Sequence, residues 1–155
     1  MKLPTSIPHM HADEHGLKHS DLSEKLIGIF FSIYNELGHG FLESVYEQAF
    51  SIATAEHGIF FQRQFAIPVF FHQQRIGDFR ADLLVDGKIL LELKTGREID
   101  SSWEKQLLNY LRATEIEVGL LFNFGPQAQF RRFVFENDKK NPRKSASICG
   151  KEVTP

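Results

Sequence analysis

Two acidic residues and one basic residue interrupt an apolar stretch in the middle of the chain. Asp82 is followed ten positions later by Glu92, and Lys94 lies two residues further on, all within the run ADLLVDGKILLELK. A charge buried among Leu, Ile and Val is costly unless it is paired or holds a metal. Hydrolysis of a phosphodiester needs an activated water and compensation for charge on the phosphate, which oxygen-ligated divalent cations provide. Metal-dependent phosphodiester chemistry would give this spacing of charged residues a reason.

The side-chain period of two in a strand decides whether the two acids can meet. A plain two-residue turn at Asp86 and Gly87 would place Asp82 and Glu92 on opposite faces of the sheet. A three-residue loop, or a glycine bulge at Gly87, shifts the pairing by one residue and puts Asp82, Glu92 and Lys94 on one face. Burial favours this register, because each leucine turned to water forfeits about 1.5–3 kcal/mol. The opposite face then carries Ala81, Leu83, Val85, Ile89, Leu91 and Leu93.

Mg²⁺ prefers one or two carboxylates and keeps several waters, and Mn²⁺ suits the same oxygen ligands. Asp82 and Glu92 would supply the carboxylates and the backbone carbonyl of Leu93 a further ligand, while Lys94 would orient the water. The same residues also fit an interior ion pair of an acid with Lys94, or a wetted sheet face. The spacing alone leaves the choice between these alternatives open.

Apolar periodicity predicts the elements that position these residues. The predicted order is ααβββαββ, with the first three strands in an antiparallel meander, a Gln73-Gln74 turn between the first two, and a capping box at Ser101–Glu104 opening the third helix. This order predicts an α/β fold with a central mixed sheet flanked by helices. Ser20 or Asp21 is the predicted cap of the first helix. The predicted helices are 22–37, 42–56 and 101–114, and the predicted strands are 60–71, 76–85, 88–93, 118–124 and 129–135.

Composition predicts one domain, over residues 20–136, between a mobile N-terminal leader (1–19) and a mobile polar C-terminal tail (137–155). No apolar run approaches the roughly 20 residues that span a bilayer. We therefore expect a cytoplasmic protein with no membrane partner. The formal net charge of −2 gives no overall attraction to nucleic acid, so local basic residues and metal ions would have to hold it.

Several motifs resemble those of a known nuclease family. Gly40, Glu43 and Tyr46 match the motif that names the GxxExxY family of the PD-(D/E)XK, or restriction-endonuclease-like, nuclease superfamily, and Asp82, Glu92 and Lys94 follow its D-x₉-E-x-K hairpin pattern. The segments FRADLLV, ELK, QLLNYLRAT and GLLFNFG extend the resemblance over about residues 22–135. It implies a restriction-endonuclease-like core and a Mg²⁺- or Mn²⁺-dependent nuclease acting on nucleic acid, with DNA as the first choice.

The resemblance also implies roles for individual residues. From the helix that precedes the sheet, Glu43 would contribute a carboxylate ligand to the metal or hydrogen-bond a metal-bound water. Tyr46, one turn later, would position substrate or simply pack in the core. Gln106 and Tyr110 resemble the QxxxY motif of RecB-type nucleases, in which both approach the active site and substrate. Glu47 is interpreted as a solvated helix residue. Ala81 stands where the superfamily's nominal proline precedes the aspartate, but no proposed metal ligand is lost.

Two rival functions use the same residues. The chain could be a non-catalytic nucleic-acid-binding or assembly module that retains the nuclease fold, or Asp82, Glu92 and Lys94 could form a purely structural ion triad. The sequence leaves open DNA against RNA, internal against end cleavage, and a homodimer or protein partner.

Overall fold

The structure is a computed structural model that describes residues 18–140. Its element order contains the predicted ααβββαββ and adds one helical turn at the C-terminal end, where the sequence pattern indicates neither helix nor strand. The leader and most of the tail, with His9, His11, His15 and Cys149, lie outside the described residues. The elements are α1 (Ser20–Leu37), α2 (Glu43–Glu56), β1 (Phe61–Phe71), β2 (Gln74–Val85), β3 (Ile89–Lys94), α3 (Ser101–Arg112), β4 (Val118–Phe124), β5 (Ala128–Val134) and α4 (Asn137–Lys140).

The five strands form one sheet in the order β1-β2-β3-β4-β5. β1, β2 and β3 pair antiparallel, as the predicted meander requires, and β4 pairs antiparallel with β5. β3 and β4 are parallel, and α3 makes the crossover that a parallel pair needs. The predicted mixed sheet and α/β class are confirmed. No helix among residues 18–140 combines the length and the apolar character that a bilayer span requires.

Apolar side chains pack on both faces of the sheet. α1 and α2 cover one face, where Phe30 stacks on Phe122 at 4.6 Å between ring centroids. α3 covers the other face through Leu107 and Leu111. β3 and β4 are thus buried on both sides, which explains their nearly continuous apolar sequence. A charged residue in β3 is therefore held among apolar neighbours.

The β2–β3 hairpin has the register that leucine burial predicts. Leu83 pairs with Leu91, and the connection is a three-residue loop in which Asp86 and Gly87 have φ of 51° and 63°. One detail of the prediction is wrong: Ala81 packs with the α3 side of the sheet and not with Leu83. The alternation of faces is interrupted between Ala81 and Leu83, opposite Gln64 of β1, which has φ of 50°.

Three local predictions fail. α3 begins with Asp100 as its N-cap, whose carboxylate accepts the N–H of Ser102 at 2.7 Å, so the predicted capping box at Ser101–Glu104 is wrong. The first hairpin turns at His72 and Gln73, both with positive φ, and not at Gln73-Gln74. α1 starts at Ser20 without a side-chain cap. In the first two cases an adjacent polar residue takes the special backbone position, whereas the N-cap position of α1 is held by His19, whose side chain makes no capping hydrogen bond.

Candidate active site

Asp82 and Glu92 meet where β2 and β3 separate. The antiparallel pairing of these strands ends at Leu83 and Leu91. Just beyond it, Asp82 Oδ2 accepts the backbone N–H of Leu93 at 2.7 Å, and Glu92 Oε1 accepts the backbone N–H of Asp82 at 3.3 Å. Each carboxylate thus replaces a missing rung of the ladder by binding the opposite strand. The exchange holds the two acids side by side.

Burial makes negative charge on this pair unfavourable. Glu92 is only 4% exposed, and burial together with the charge of Asp82 raises the pKa of Glu92 to about 8. Burial, with smaller effects of Glu47 and Glu43, raises the pKa of Asp82 to about 6, although the Leu93 N–H opposes the shift. Lys94 opposes both shifts without cancelling them. The pair therefore requires further positive charge if both acids are to be ionised at neutral pH.

Lys94 connects the carboxylates to α3. Its Nζ lies 3.9 Å from Glu92 Oε2 and donates a hydrogen bond of 3.1 Å to Gln106 Oε1. Gln106 Nε2 in turn donates to the hydroxyl of Tyr110 at 2.7 Å, one helical turn away. The indole of Trp103 lies 5.8 Å below the ammonium group. The structure thus brings together five of the predicted site residues, two from α3 and three from the β2–β3 hairpin.

α2 adds two further acids near the pair. Glu43, the first residue of α2, is exposed, and its negative charge contributes to the raised pKa of both Asp82 and Glu92. Glu47 has the larger effect on Asp82 and is tied down by Gln64, whose Nε2 donates to Glu47 Oε1 at 2.7 Å. The interpretation of Glu47 as a purely solvated residue is wrong. Its position one turn after Glu43 was the signal available in the sequence.

Tyr46 lies apart from the carboxylates, in the core. It is fully buried, and its ring stacks on Phe124 with 4.0 Å between centroids. Its hydroxyl donates to the carbonyl of Gly38 at 2.7 Å and accepts the N–H of Phe41 at 3.3 Å. Gly40, between them, has φ of 109°, which side-chain-bearing residues rarely adopt. These contacts favour the structural alternative for Tyr46, which closes the loop before Glu43, over a contact with substrate.

One known protein family matches the chain over the residues described above. The sequence model of the PD-(D/E)XK nuclease superfamily matches residues 20–133, most of the chain and all of the site described above. This chain belongs to the PD-(D/E)XK nuclease superfamily. Its membership implies a nucleic-acid substrate and phosphodiester chemistry. No curated protein matches the chain.

Two solved structures resemble this PD-(D/E)XK chain. The crystal structure of SSO0001 is 18% identical, with a TM-score of 0.49 over 88% of this chain and 70% of that one. The crystal structure of an alkaline exonuclease from Laribacter hongkongensis is 12% identical, with a TM-score of 0.46 over 86% of this chain and 81% of that one.

PD-(D/E)XK nucleases generally use divalent metals, and the residues of this chain fit one. Asp82 and Glu92 provide two adjacent hard oxygen ligands, the number that Mg²⁺ takes from proteins while keeping its waters. Within residues 18–140, no three or more His, Cys, Asp or Glu side chains form a metal-binding group. Coordination by Glu43 and by the Leu93 carbonyl stays a prediction.

Proposed function

We propose that this protein is a metal-dependent nuclease that hydrolyses phosphodiester bonds of nucleic acid, with DNA as the substrate. The observation that carries the proposal is the buried Asp82–Glu92 pair beside Lys94, in which burial raises the pKa of both carboxyls and the charge of Asp82 raises that of Glu92 further. Gly40, Glu43 and Tyr46 further support membership of the GxxExxY family. In this chain the three residues form one loop and the start of one helix.

The proposed roles follow from position. Asp82 and Glu92 hold Mg²⁺ or Mn²⁺, which supplies charge compensation on the phosphate and an activated water when bound. Lys94 is a donor held in place by Gln106, so it can orient the attacking water and offset charge on the phosphate. Tyr110 fixes the amide of Gln106, and this pair positions both Lys94 and the substrate strand. Glu43 assists through its charge at the edge of the site.

A second candidate function is a non-catalytic nucleic-acid-binding or assembly module that retains the nuclease fold, because the family match rests on sequence similarity and not on turnover. A binding module of this kind would hold nucleic acid with a salt-dependent affinity that does not respond to Mg²⁺. A nuclease would instead bind the metal at Asp82 and Glu92, and its cleavage would stop in EDTA.

The test is cleavage of end-labelled linear DNA and of circular DNA in Mg²⁺, Mn²⁺ or EDTA. Asp82→Asn and Glu92→Gln keep an acceptor for the opposing backbone N–H but lose the charge, so they should fold and fail to cut. Lys94→Ala should also fail. Asp78→Asn, an exposed acid of the same strand, and Lys88→Ala, an exposed lysine of the neighbouring loop, are the matched controls and should cut normally. Cleavage by Asp82→Asn at the wild-type rate would show that the site assignment is wrong.

A further inference from the structure

A groove of about 670 Å³ runs between the β1–β2 hairpin and α3. Gln106 and Tyr110 form part of its wall, and the same two residues support Lys94. The groove therefore borders the candidate active site, and a ligand in it would lie against the two residues that support Lys94.

Two aromatic rings of the hairpin line this groove and remain open to solvent. Phe70 is 59% exposed and Phe79 is 48% exposed. The ring of Phe79 lies 5.9 Å from that of Tyr110, so the two sides of the groove approach each other through aromatic surface. Exposed apolar surface concentrated beside an active site indicates a ligand that covers it. The faces of these rings are suited to a flat aromatic group.

The charged side chains that line the groove are all basic. Lys105 and Arg112 contribute from α3 and Lys140 from α4, and no acidic side chain of residues 18–140 lines the groove. The whole chain carries a formal net charge of −2, so this local excess of cations is the reverse of the overall balance. The guanidinium of Arg112 lies 5.4 Å from the ring centroid of Phe135, which holds it near the surface of the helix. A ligand with both flat rings and negative charge complements this lining.

We propose that the groove binds a single strand of DNA, with unpaired bases stacked on Phe79 and Phe70 and the phosphates beside Lys105 and Arg112. Bases of a single strand offer their ring faces to aromatic side chains, whereas those of a duplex are already stacked on one another. The strand then enters the Asp82–Glu92 site past Gln106 and Tyr110. This inference rests on the proposed nuclease function and specifies its substrate as single-stranded.

The stacking is tested by fluorescence anisotropy in EDTA, where no cleavage interferes. The probe is a labelled oligothymidylate of about 12 nucleotides, compared with a duplex of equal length. Wild type should bind the single strand at least about tenfold more tightly than the duplex. Phe79→Leu and Phe70→Leu should each weaken single-strand binding roughly tenfold, as expected for loss of one base–aromatic stack. Phe71→Leu is the matched control, because Phe71 is 61% exposed on the same strand but stacks on His72 outside the groove.

The charge contribution is tested by the salt dependence of the same binding. Lys105→Gln and Arg112→Gln should each reduce the slope of log affinity against log salt by about 0.7, the value for one phosphate contact with a single strand. Lys25→Gln, on α1 and away from this groove, should leave the slope unchanged. Thermal melts of each variant establish that it is folded before its affinity is compared.

The outcomes separate this inference from the proposed function. Equal affinity for duplex and single strand, or single-strand affinity unchanged in folded Phe79→Leu and Phe70→Leu, would overturn the groove assignment even if the protein cuts DNA. Phe79-dependent single-strand binding without cleavage in any metal would overturn the nuclease function and leave the groove assignment standing. Binding of neither nucleic acid would overturn the groove assignment and favour an apolar peptide as the occupant.

Discussion

Glu92 is a carboxylate that the folded chain holds among apolar neighbours at a cost in stability. Its ionised form loses hydration on burial and lies beside Asp82, so the folded state binds a proton more tightly than the unfolded chain does. Protonation of Glu92 therefore stabilises the folded state. This stabilisation is fully present below the pKa of 4.5 that Glu92 has in the unfolded chain, and it is lost as pH rises through its folded-state pKa of about 8. A bound cation would also offset the free-energy cost of burying the ionised Glu92 carboxylate beside Asp82.

This linkage predicts the pH dependence of the metal-free protein. In EDTA, we expect the free energy of unfolding of wild type, relative to that of Glu92→Gln, to fall by roughly 2–4 kcal/mol between pH 5 and pH 8. Glu92→Gln retains an acceptor for the Asp82 N–H but has no proton to release. Urea unfolding at the two pH values measures the difference, and Asp78→Asn should keep the wild-type pH dependence. Parallel pH profiles for wild type and Glu92→Gln would contradict the raised pKa of Glu92.

The chain of hydrogen bonds from Lys94 to Tyr110 predicts graded effects on cleavage. Gln106→Leu removes the side-chain acceptor to which the Lys94 ammonium group donates and should lower the single-turnover cleavage rate by about tenfold or more. Tyr110→Phe removes one hydrogen bond to Gln106, worth about 1 kcal/mol, and should lower the rate about fivefold. The matched control is Tyr34→Phe, whose lost hydroxyl binds the Gly125 and Pro126 carbonyls, with no effect on cleavage expected. Unchanged rates in Gln106→Leu would show that Lys94 needs no support from α3.

At the scale of elements, the loop between α1 and α2 explains why Gly40, Glu43 and Tyr46 occur together. Gly40 supplies a positive φ, and the Tyr46 hydroxyl binds the backbone on both sides of it. These two hydrogen bonds fix the point at which α2 begins, and Glu43 is the first residue of α2. The motif thus places one carboxylate beside the sheet by means of a turn and a buried hydroxyl.

We therefore expect Tyr46→Phe to act on the loop first. The substitution leaves the Gly38 carbonyl and the Phe41 N–H without their partner, which should cost about 1–3 kcal/mol and lower the melting temperature. Cleavage should fall no further than in Glu43→Gln, because the hydroxyl acts only by placing Glu43. Thermal melting and single-turnover cleavage of both variants provide the comparison. A normal melting temperature with cleavage abolished would instead support a direct contact between Tyr46 and substrate.

Sequence periodicity was sufficient for the sheet register because many leucines depend on it. A slip of one residue would turn Leu83, Leu91 and their neighbours to the wrong face, at a cost far above any local turn preference. The face of Ala81 was predicted wrongly because a small side chain adds little to the free energy of burial that sets the register. The alternation of faces is also interrupted there, opposite Gln64 of β1. The N-cap of α3 was missed because Asp100 and Ser101 have similar capping propensities.

At the scale of the whole molecule, the site is assembled from segments that are distant in sequence. The acids of the hairpin and the residues of α3 carried recognisable spacings, so they could be predicted. For Glu47 the sequence offered only its spacing from Glu43, because its contribution depends on how α2 packs against β1, where Gln64 binds it. The exposed rings of Phe70 and Phe79 gave no sequence signal either, since only the folded hairpin sets them opposite the basic side of α3.

Metal binding should stabilise the whole fold. A cation that binds only the folded chain adds about 2.7 kcal/mol at a concentration 100 times its dissociation constant, so saturating Mg²⁺ or Mn²⁺ should raise the melting temperature by several degrees. Asp82→Asn should lose this shift, and Asp78→Asn should retain it. In EDTA, Asp82→Asn should melt no lower than wild type, because it relieves repulsion with Glu92 while keeping an acceptor for the Leu93 N–H. A lower melting temperature in EDTA, with no metal response in wild type, would instead favour a structural ion triad.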